Sequence, residues 1–331
     1  EGRTVTTIAV VGAGLSGLVA ARQLQAFADV TVFEKSRGAG GRMATRYTGE
    51  FKFDHGAQFF TARTTAFRDF LQPLLSEGVI ADWPARFAEF DDDRITDLRS
   101  WGDDYPHFVG TPGMNSIGKY LAAELSVVFE TTVARVVRSG ERWNLFDDSD
   151  RDLGQFDWLV LTAPAPQTLG LAGEAPELVT LCRERTLCGC FALMLGFEQP
   201  LDLPWQAALV RNADISWLSV NSSKPGRDAA FTLLAHSTNT WAEDHIDEDP
   251  EAVLEHMLRE ASDVSGQDLR SATHRQVHRW RYANIDKQAG PTCFIDGDRQ
   301  LASCGDWFVR GRVEAAFTSA HDLGQKLRNM L

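Results

Sequence analysis

The strand, turn and helix at the start of the chain constrain its fold more than any other feature. Thr7-Ile8-Ala9-Val10-Val11 is an unbroken β-branched and apolar run, as in a strand buried on both faces. Gly12-Ala13-Gly14-Leu15-Ser16-Gly17 follows at once. Leu18 to Phe27 then reads as a helix, with Leu18, Ala21, Leu24 and Ala28 on one face. Val30-Thr31-Val32-Phe33-Glu34 is the next strand and ends on an acid. A G-x-G-x-x-G string between strand and helix, with an acid twenty positions past Gly14, predicts a dinucleotide cradle. Gly12 allows the tight turn, Gly14 lets a pyrophosphate approach the backbone, and Gly17 lets helix and strand pack closely. The helix N-terminus offers unpaired N–H groups and partial positive charge, so Ala13, Leu15 and Ser16 belong to the same cradle. Glu34 can accept hydrogen bonds from both hydroxyls of an adenosine ribose and would repel a phosphate at the 2′ position.

Composition narrows the partners. The 331 residues suggest about two domains and can bury a sizeable core. Lys and Arg total 33 against 46 Asp and Glu, a formal charge of −13, which argues against nucleic acid and anionic membranes. Nine Trp and 20 Phe exclude a disordered chain. The apolar run Ile8–Ala21 holds three glycines, lacks a basic leader and falls short of the about 20 residues that span a bilayer, so a soluble cytoplasmic protein is expected. Cys182, Cys188, Cys190, Cys293 and Cys304 form no C-x-x-C and have no His pair at zinc-finger spacing, so free buried thiols are expected and no metal site.

Further segments decide which dinucleotide. Lys35-Ser36-Arg37-Gly38-Ala39-Gly40-Gly41-Arg42 puts a second glycine cluster and an arginine just past the acid. It resembles the paired-glycine motif of FAD enzymes in the amine oxidase class. That resemblance implies FAD, held non-covalently, with Lys35, Gly41 and Arg42 along the pyrophosphate; a guanidinium fork suits phosphate. Phe53-Asp54-His55-Gly56-Ala57-Gln58-Phe59-Phe60 resembles the segment that crosses the flavin near its ring. Gly56 and Ala57 would then allow close backbone approach, and Gln58 and Phe59 would face flavin or substrate. The same resemblance makes Val133 the adenine contact. It assigns Asp306, in the Gly305-Asp306 pair after the strand Leu301–Cys304, to a ribityl hydroxyl. The helix beginning near Arg312-Val313-Glu314 would point at the pyrimidine edge of the flavin, so Val313 joins the cofactor set. Cys304 is not obviously placed to reach the flavin ring.

Cofactor segments at both ends imply a discontinuous FAD domain. The expected fold is α/β (α+β): a Rossmann-type FAD-binding domain, residues 1–60, 108–165 and 292–331, with an inserted mixed-sheet substrate domain, residues 61–107 and 166–291. The topology would be that of p-hydroxybenzoate hydroxylase and the amine oxidases. Within the insert, strands are expected over residues 189–197, 206–211, 215–220, 230–236 and 273–282, and a helix over 249–261.

The whole pattern is similar to the renalase family within the amine-oxidase-like flavoproteins. The phrases that carry this are Asp54–Phe60, Asp157–Pro166, Arg279-Trp280-Arg281 and Gly305-Asp306. The resemblance implies oxidation of dihydro-NAD(P) isomers carrying hydride at ring position 2 or 6, with O2 reoxidising the flavin to give H2O2, as metabolite repair. Separately, a monomer is expected. Amine oxidases of the class commonly carry a lysine that bonds flavin N5 through water. The matching strand here, Leu187–Phe197, has none, and only Lys287 could reach a substrate site. Phe59 and Trp280 are candidates to stack on a nicotinamide ring, or are core residues. His236 is a carboxamide partner or a satisfied core histidine, and Trp217 is a weaker wall candidate. His274, Arg275, His278, Arg279 and Arg281 form a basic patch that could steer an anionic dinucleotide, or a solvated strand face. An amine oxidase or desaturase-type enzyme of the same fold, and a carrier without cofactor, are the competing readings.

Overall fold

A computed structural model describes residues 5–102, 105–173 and 175–331. The chain divides into two compact units: Glu1–Arg42, Gly118–Leu187 and Ile285–Leu331 form the first, Met43–Ile117 and Cys188–Asn284 the second.

The first unit is built on a six-stranded sheet. In spatial order its strands are Phe294–Asp296, Leu301–Ser303, Trp158–Leu161, Thr7–Val11, Asp29–Phe33 and Ser126–Val128. All pairings are parallel except the first. Burial on both faces explains why the central strands read as uninterrupted apolar runs. Helices Leu15–Leu24 and Val313–Leu327 pack together, and the Ser16 hydroxyl donates to the Ala316 carbonyl at 2.8 Å. The first helix starts at Leu15 rather than Leu18, so Gly17 lies inside it. The three-stranded antiparallel sheet Val133–Ser139, Arg142–Asp147 and Asp152–Phe156 belongs to the same unit.

The second unit centres on a seven-stranded sheet. Its order is His274–Asn284, Cys188–Phe197, Phe231–Ser237, Ile215–Val220, Ala207–Arg211, Arg86–Asp91 and Arg94–Ser100. Pairing is antiparallel except between Ala207–Arg211 and Arg86–Asp91. The period of two divides the side chains by face. Phe191, Leu193, Leu195 and Phe197 join the core with Leu254, Met257 and Leu258 of helix Pro250–Ser265. Met194 and Leu234 point the other way, against Phe51 and Phe53.

The unit boundaries differ from those expected. Residues 43–60 and 108–117 cluster with the seven-stranded sheet, while 166–187 and 285–291 cluster with the six-stranded one. Hairpin Thr45–Thr48/Phe51–Asp54 ends on Asp54, whose carboxylate bonds Lys224 and Arg227, and strand Phe108–Gly110 pairs with Ile80–Asp82. Those long-range partners cannot be read from local patterning. The stretch 61–107 holds helix Thr65–Ser76, capped by Thr64 and burying Phe67, Leu71 and Leu74, and two strands of the large sheet. Spacing of 67, 71 and 74 after a threonine was the available signal.

Candidate active site

In the first unit, two glycine turns fold onto each other. Gly12, at φ +112°, donates its N–H to the Phe33 carbonyl, and Gly40 N–H donates to Ala13 O at 2.8 Å. Gly17 presses on the turn so closely that a Cβ there would lie 1.9 Å from Gly12 O. A Cβ at Gly14 would meet nothing within 4 Å, and one at Gly41 would come 3.2 Å from Gly14 Cα. Gly14 caps a helix that has no side-chain cap and no acid in its first turn. Its first N–H groups are thus left uncapped by any side chain, beside the open space at Gly14, an arrangement suited to a phosphate.

Glu34 is 7% exposed and already structured: Oε2 accepts from Ala13 N–H and Oε1 from Ser36 N–H, both at 2.8 Å. Each oxygen keeps a second lone pair for a ribose hydroxyl. Thr131 N–H donates to Glu34 O, which brings the segment leading to buried Val133 beside the acid. Arg42 and Asp306 form a two-pronged ion pair, Nη1–Oδ2 2.9 Å and Nη2–Oδ1 2.6 Å. The two residues expected at pyrophosphate and ribityl chain thus meet each other. Val313 opens the final helix, and Lys35 is exposed. Cys304 is fully buried, and burial pushes its thiol up, which disfavours a nucleophilic thiolate. The open space at Gly14, the uncapped helix and buried Glu34 fit an adenine dinucleotide.

In the second unit, the turn after Asp54 is tied down by buried polar groups. Asp54 Oδ1 accepts from Thr45 Oγ1 and Met114 N–H at 2.9 Å; Oδ2 pairs with Arg227 and with Lys224 Nζ at 3.3 Å. Burial alone would raise the Asp54 pKa, but Lys224 and Arg227 outweigh it and hold it at about 2. Burial lowers Lys224 to about 8, against the opposing pull of Asp54. Gln58 was expected to face flavin or substrate. Instead it is buried and donates to Asp54 O and Gly56 O, while its Oε1 accepts from Ser219 Oγ at 3.0 Å. Gly56 and Ala57 remain partly exposed.

Trp280 and His236 converge on this turn. Trp280 Nε1 donates to His55 O at 2.9 Å, and His236 Nε2 meets the same carbonyl at 3.1 Å. A carbonyl only accepts, so neutral His236 carries its proton on Nε2 and offers Nδ1 as an acceptor. Arg46 approaches His278 Nδ1 at 3.1 Å, and since Arg only donates, His278 also accepts there. The His55 ring lies 4.8 Å from His278 and 4.9 Å from Trp280. Trp217 pairs with His236 across the sheet and packs 5.6 Å from Phe59, which also touches Trp101 and His107. The result is a wall of indole, phenyl and imidazole rings.

Strand alternation splits the expected basic patch. His274, His278 and Trp280 share one face; Arg275, Arg279 and Arg281 lie on the other, bonded to Arg270 O, Glu248 O and Asp247. Sequence reasoning missed Lys224, Arg227, Asp54 and His55 as a network. Lys287 is exposed, whereas Lys224 is 2% exposed. Asp214, His256 and Glu260 bring donor atoms within 4.8 Å, but His256 and Asp214 already bond at 2.8 Å.

Burial holds all three imidazoles neutral, lowering His55 to about 3 and His236 and His278 to about 4; His278 and Arg46 add to the effect on His55. In the unfolded chain a histidine titrates near 6.5, so between about pH 6.5 and these lower values the unfolded state binds more protons. Stability is therefore complete above pH 6.5 and falls as pH drops below it. His55, 4% exposed, contributes on the order of 5 kcal/mol across that window. Denaturant midpoints at pH 7 and 4.5 should differ sharply, and His55→Leu should flatten the slope. Equal midpoints in the unchanged protein would refute the assignment.

Comparison with known proteins agrees with this architecture. Residues 10–74 match the NAD(P)-binding Rossmann-like domain, and residues 63–297 match the flavin containing amine oxidoreductase model. Renalase of Mus musculus is 23% identical over 99% of this chain and 100% of its own length. A protein of Exiguobacterium sp. 255-15 assigned as a protoporphyrinogen oxidase superposes with TM-score 0.78 at 14% identity, covering 100% of both chains. Cyclohexylamine oxidase from Brevibacterium oxydans IH-35A gives 0.73 at 12% identity, covering 98% of this chain and 99% of its own. Among the described residues no helix is long and apolar enough to cross a membrane. With a cradle that fits FAD and a family model matched over most of its length, the chain belongs to the flavin containing amine oxidoreductases.

Proposed function

We propose that the protein is an FAD-dependent oxidase of 2- and/or 6-dihydro-NAD(P) isomers; FAD, when bound, would supply the hydride acceptor, with NAD(P)+ as product and O2 as the final acceptor giving H2O2. The observation that carries this reading is the neutral ring wall on which Trp280 and His236 share the His55 carbonyl. A dihydropyridine becomes aromatic on losing hydride, so no proton has to be abstracted. What it needs from the protein is a flat, stacked pose near the acceptor. Trp280, Trp217 and Phe59 supply ring faces. His236 Nδ1 can accept from a carboxamide N–H. Asp54, next in sequence to His55, is taken up by Lys224 and Arg227 and serves neither as base nor as anchor for an ammonium. The strand Cys188–Phe197 has no lysine, which disfavours amine chemistry. The role is metabolite repair by a cytoplasmic monomer with non-covalent flavin.

Anaerobic stopped-flow flavin bleaching tests this with borohydride-generated 2- and 6-dihydro-NAD, ordinary 4-dihydro NADH and primary amines. Rapid bleaching by a 2- or 6-isomer is expected, and bleaching by amines alone would overturn the reading. Trp280→Phe keeps a ring but loses the bond to His55 O; KM should rise about 10-fold with kcat little changed. Trp280→Ala should lower kcat/KM about 100-fold. An unchanged kcat/KM in Trp280→Ala would remove Trp280 from the site.

A further inference from the structure

We infer that Lys224 is a positioning residue: by closing the turn Asp54–Gln58 it fixes the His55 carbonyl on which Trp280 and His236 are both held. The inference deepens the proposed function and rests on it for the meaning of the wall, but not for the geometry. Lys224 Nζ reaches the first residue of the turn at Asp54 Oδ2, 3.3 Å, and the last at Gln58 Oε1, 3.4 Å. Gln58 Nε2 in turn donates to the carbonyls of Asp54 and Gly56, on either side of His55. One ammonium and one amide therefore span the segment whose middle carbonyl receives Trp280 Nε1 and His236 Nε2.

Charge makes the case stronger. Asp54 is already paired with Arg227, whose side chain is 4% exposed and also donates to Gly110 O and Pro225 O. A second buried cation leaves the cluster at net positive charge, with the Lys224 side chain 0% exposed. Burying an extra charge opposes folding, so the ion pair itself does not explain the lysine. Two further contacts of its ammonium lie outside that pair, the bond to Gln58 and the face of the Trp83 ring 5.2 Å away, and of these the Gln58 bond is the one that spans the turn.

The same imbalance makes the test clean. Lys224→Met leaves Asp54 and Arg227 as a one-to-one pair, so the protein should fold. The readout is the Trp280 indole N–H resonance of 15N-labelled protein, assigned by its loss in Trp280→Phe. In Lys224→Met this resonance should shift and its hydrogen exchange should speed up about 10-fold. The indoles of Trp143 and Trp307, bonded in the first unit to Arg299 O and Ala163 O, should not move. Gln58→Met, which removes the other end of the clamp, should reproduce the Trp280 effect, and Lys224→Arg should restore most of it. KM for the 2- or 6-dihydro isomer should rise about 10-fold in Lys224→Met with kcat within a few-fold.

An unmoved Trp280 indole in both Lys224→Met and Gln58→Met would overturn the inference. If Lys224→Met also moves the Trp143 and Trp307 indoles, Gln58→Met decides alone. A shifted Trp280 indole in a protein whose unchanged form ignores both dihydro isomers would sink the proposed substrate and leave the positioning role standing.

Discussion

Alanine at Gly14 is expected to leave a folded protein that no longer holds FAD, whereas alanine at Gly17 should damage the fold itself. Both glycines belong to one motif, yet their surroundings differ. A Cβ at Gly14 meets no protein atom within 4 Å, and its backbone at φ −73°, ψ 179° suits any residue. The cost to the cofactor-free protein should be about 1 kcal/mol, the loss expected when alanine, a poor helix cap, replaces glycine at the N-cap. The open space is where a pyrophosphate would press on the backbone, so FAD affinity should fall at least about 100-fold. Gly17 lies within the helix Leu15–Leu24, where glycine to alanine would ordinarily stabilise by about 0.5–1 kcal/mol. Here a Cβ would stand 1.9 Å from Gly12 O and 2.8 Å from Thr162 Oγ1. Thr162 Oγ1 also donates to Val11 O, so neither neighbour can withdraw freely. Overpacking against backbone wins, and a net loss of about 2 kcal/mol or more follows. Thermal midpoints without FAD, followed by titration with FAD, separate the two effects. A destabilised Gly14→Ala that still binds FAD would contradict the cradle.

The cradle was legible because its chemistry is local. A buried strand, glycines at fixed offsets and an acid at the next strand end are all set by neighbours in sequence. Even so, the helix start was misplaced by reading Gly17 as turn rather than helix. The basic patch shows a different failure: residues 274 to 281 were read as a cluster, though strand periodicity already sends Arg275, Arg279 and Arg281 away from His278 and Trp280. Trp280 and His236 were singled out by residue type, and the fold brings them to one carbonyl. Lys224 was not legible. It stands in Asn221-Ser222-Ser223-Lys224-Pro225-Gly226, which reads as an exposed turn, and its partner Asp54 is 170 residues away. Gln58 looked like a ligand contact because of its motif, but four groups of the protein itself take up its amide.

Asp54→Asn should be the most damaging single change in the second unit, at about 3–5 kcal/mol, the range for a buried charge that loses its partner. Asp54 is 0% exposed and neutralises two buried cations. An asparagine keeps the shape and an acceptor for Thr45 and Met114, but its amide cannot balance the charge of Lys224 and Arg227. The two cations respond differently. Arg227 cannot give up its proton and remains a buried charge at any usable pH. Lys224, already lowered to about 8 by burial, drops further once the attraction of Asp54 is gone. Part of the loss is thereby relieved by releasing a proton. Linkage fixes the sign. The unfolded chain keeps its lysine protonated to about 10.4, so wherever the folded variant has released that proton, stability rises with pH. From this lysine, Asp54→Asn should gain stability between pH 7 and 8, where the unchanged protein gains little because its Lys224 is still mostly charged. Adding Lys224→Met to Asp54→Asn should recover stability most at pH 7 and least at pH 9. Denaturant melts of the three variants at these pH values decide it. A single Asp54→Asn within about 1 kcal/mol of the unchanged protein at pH 7 would mean that the cluster is far better hydrated than its burial implies.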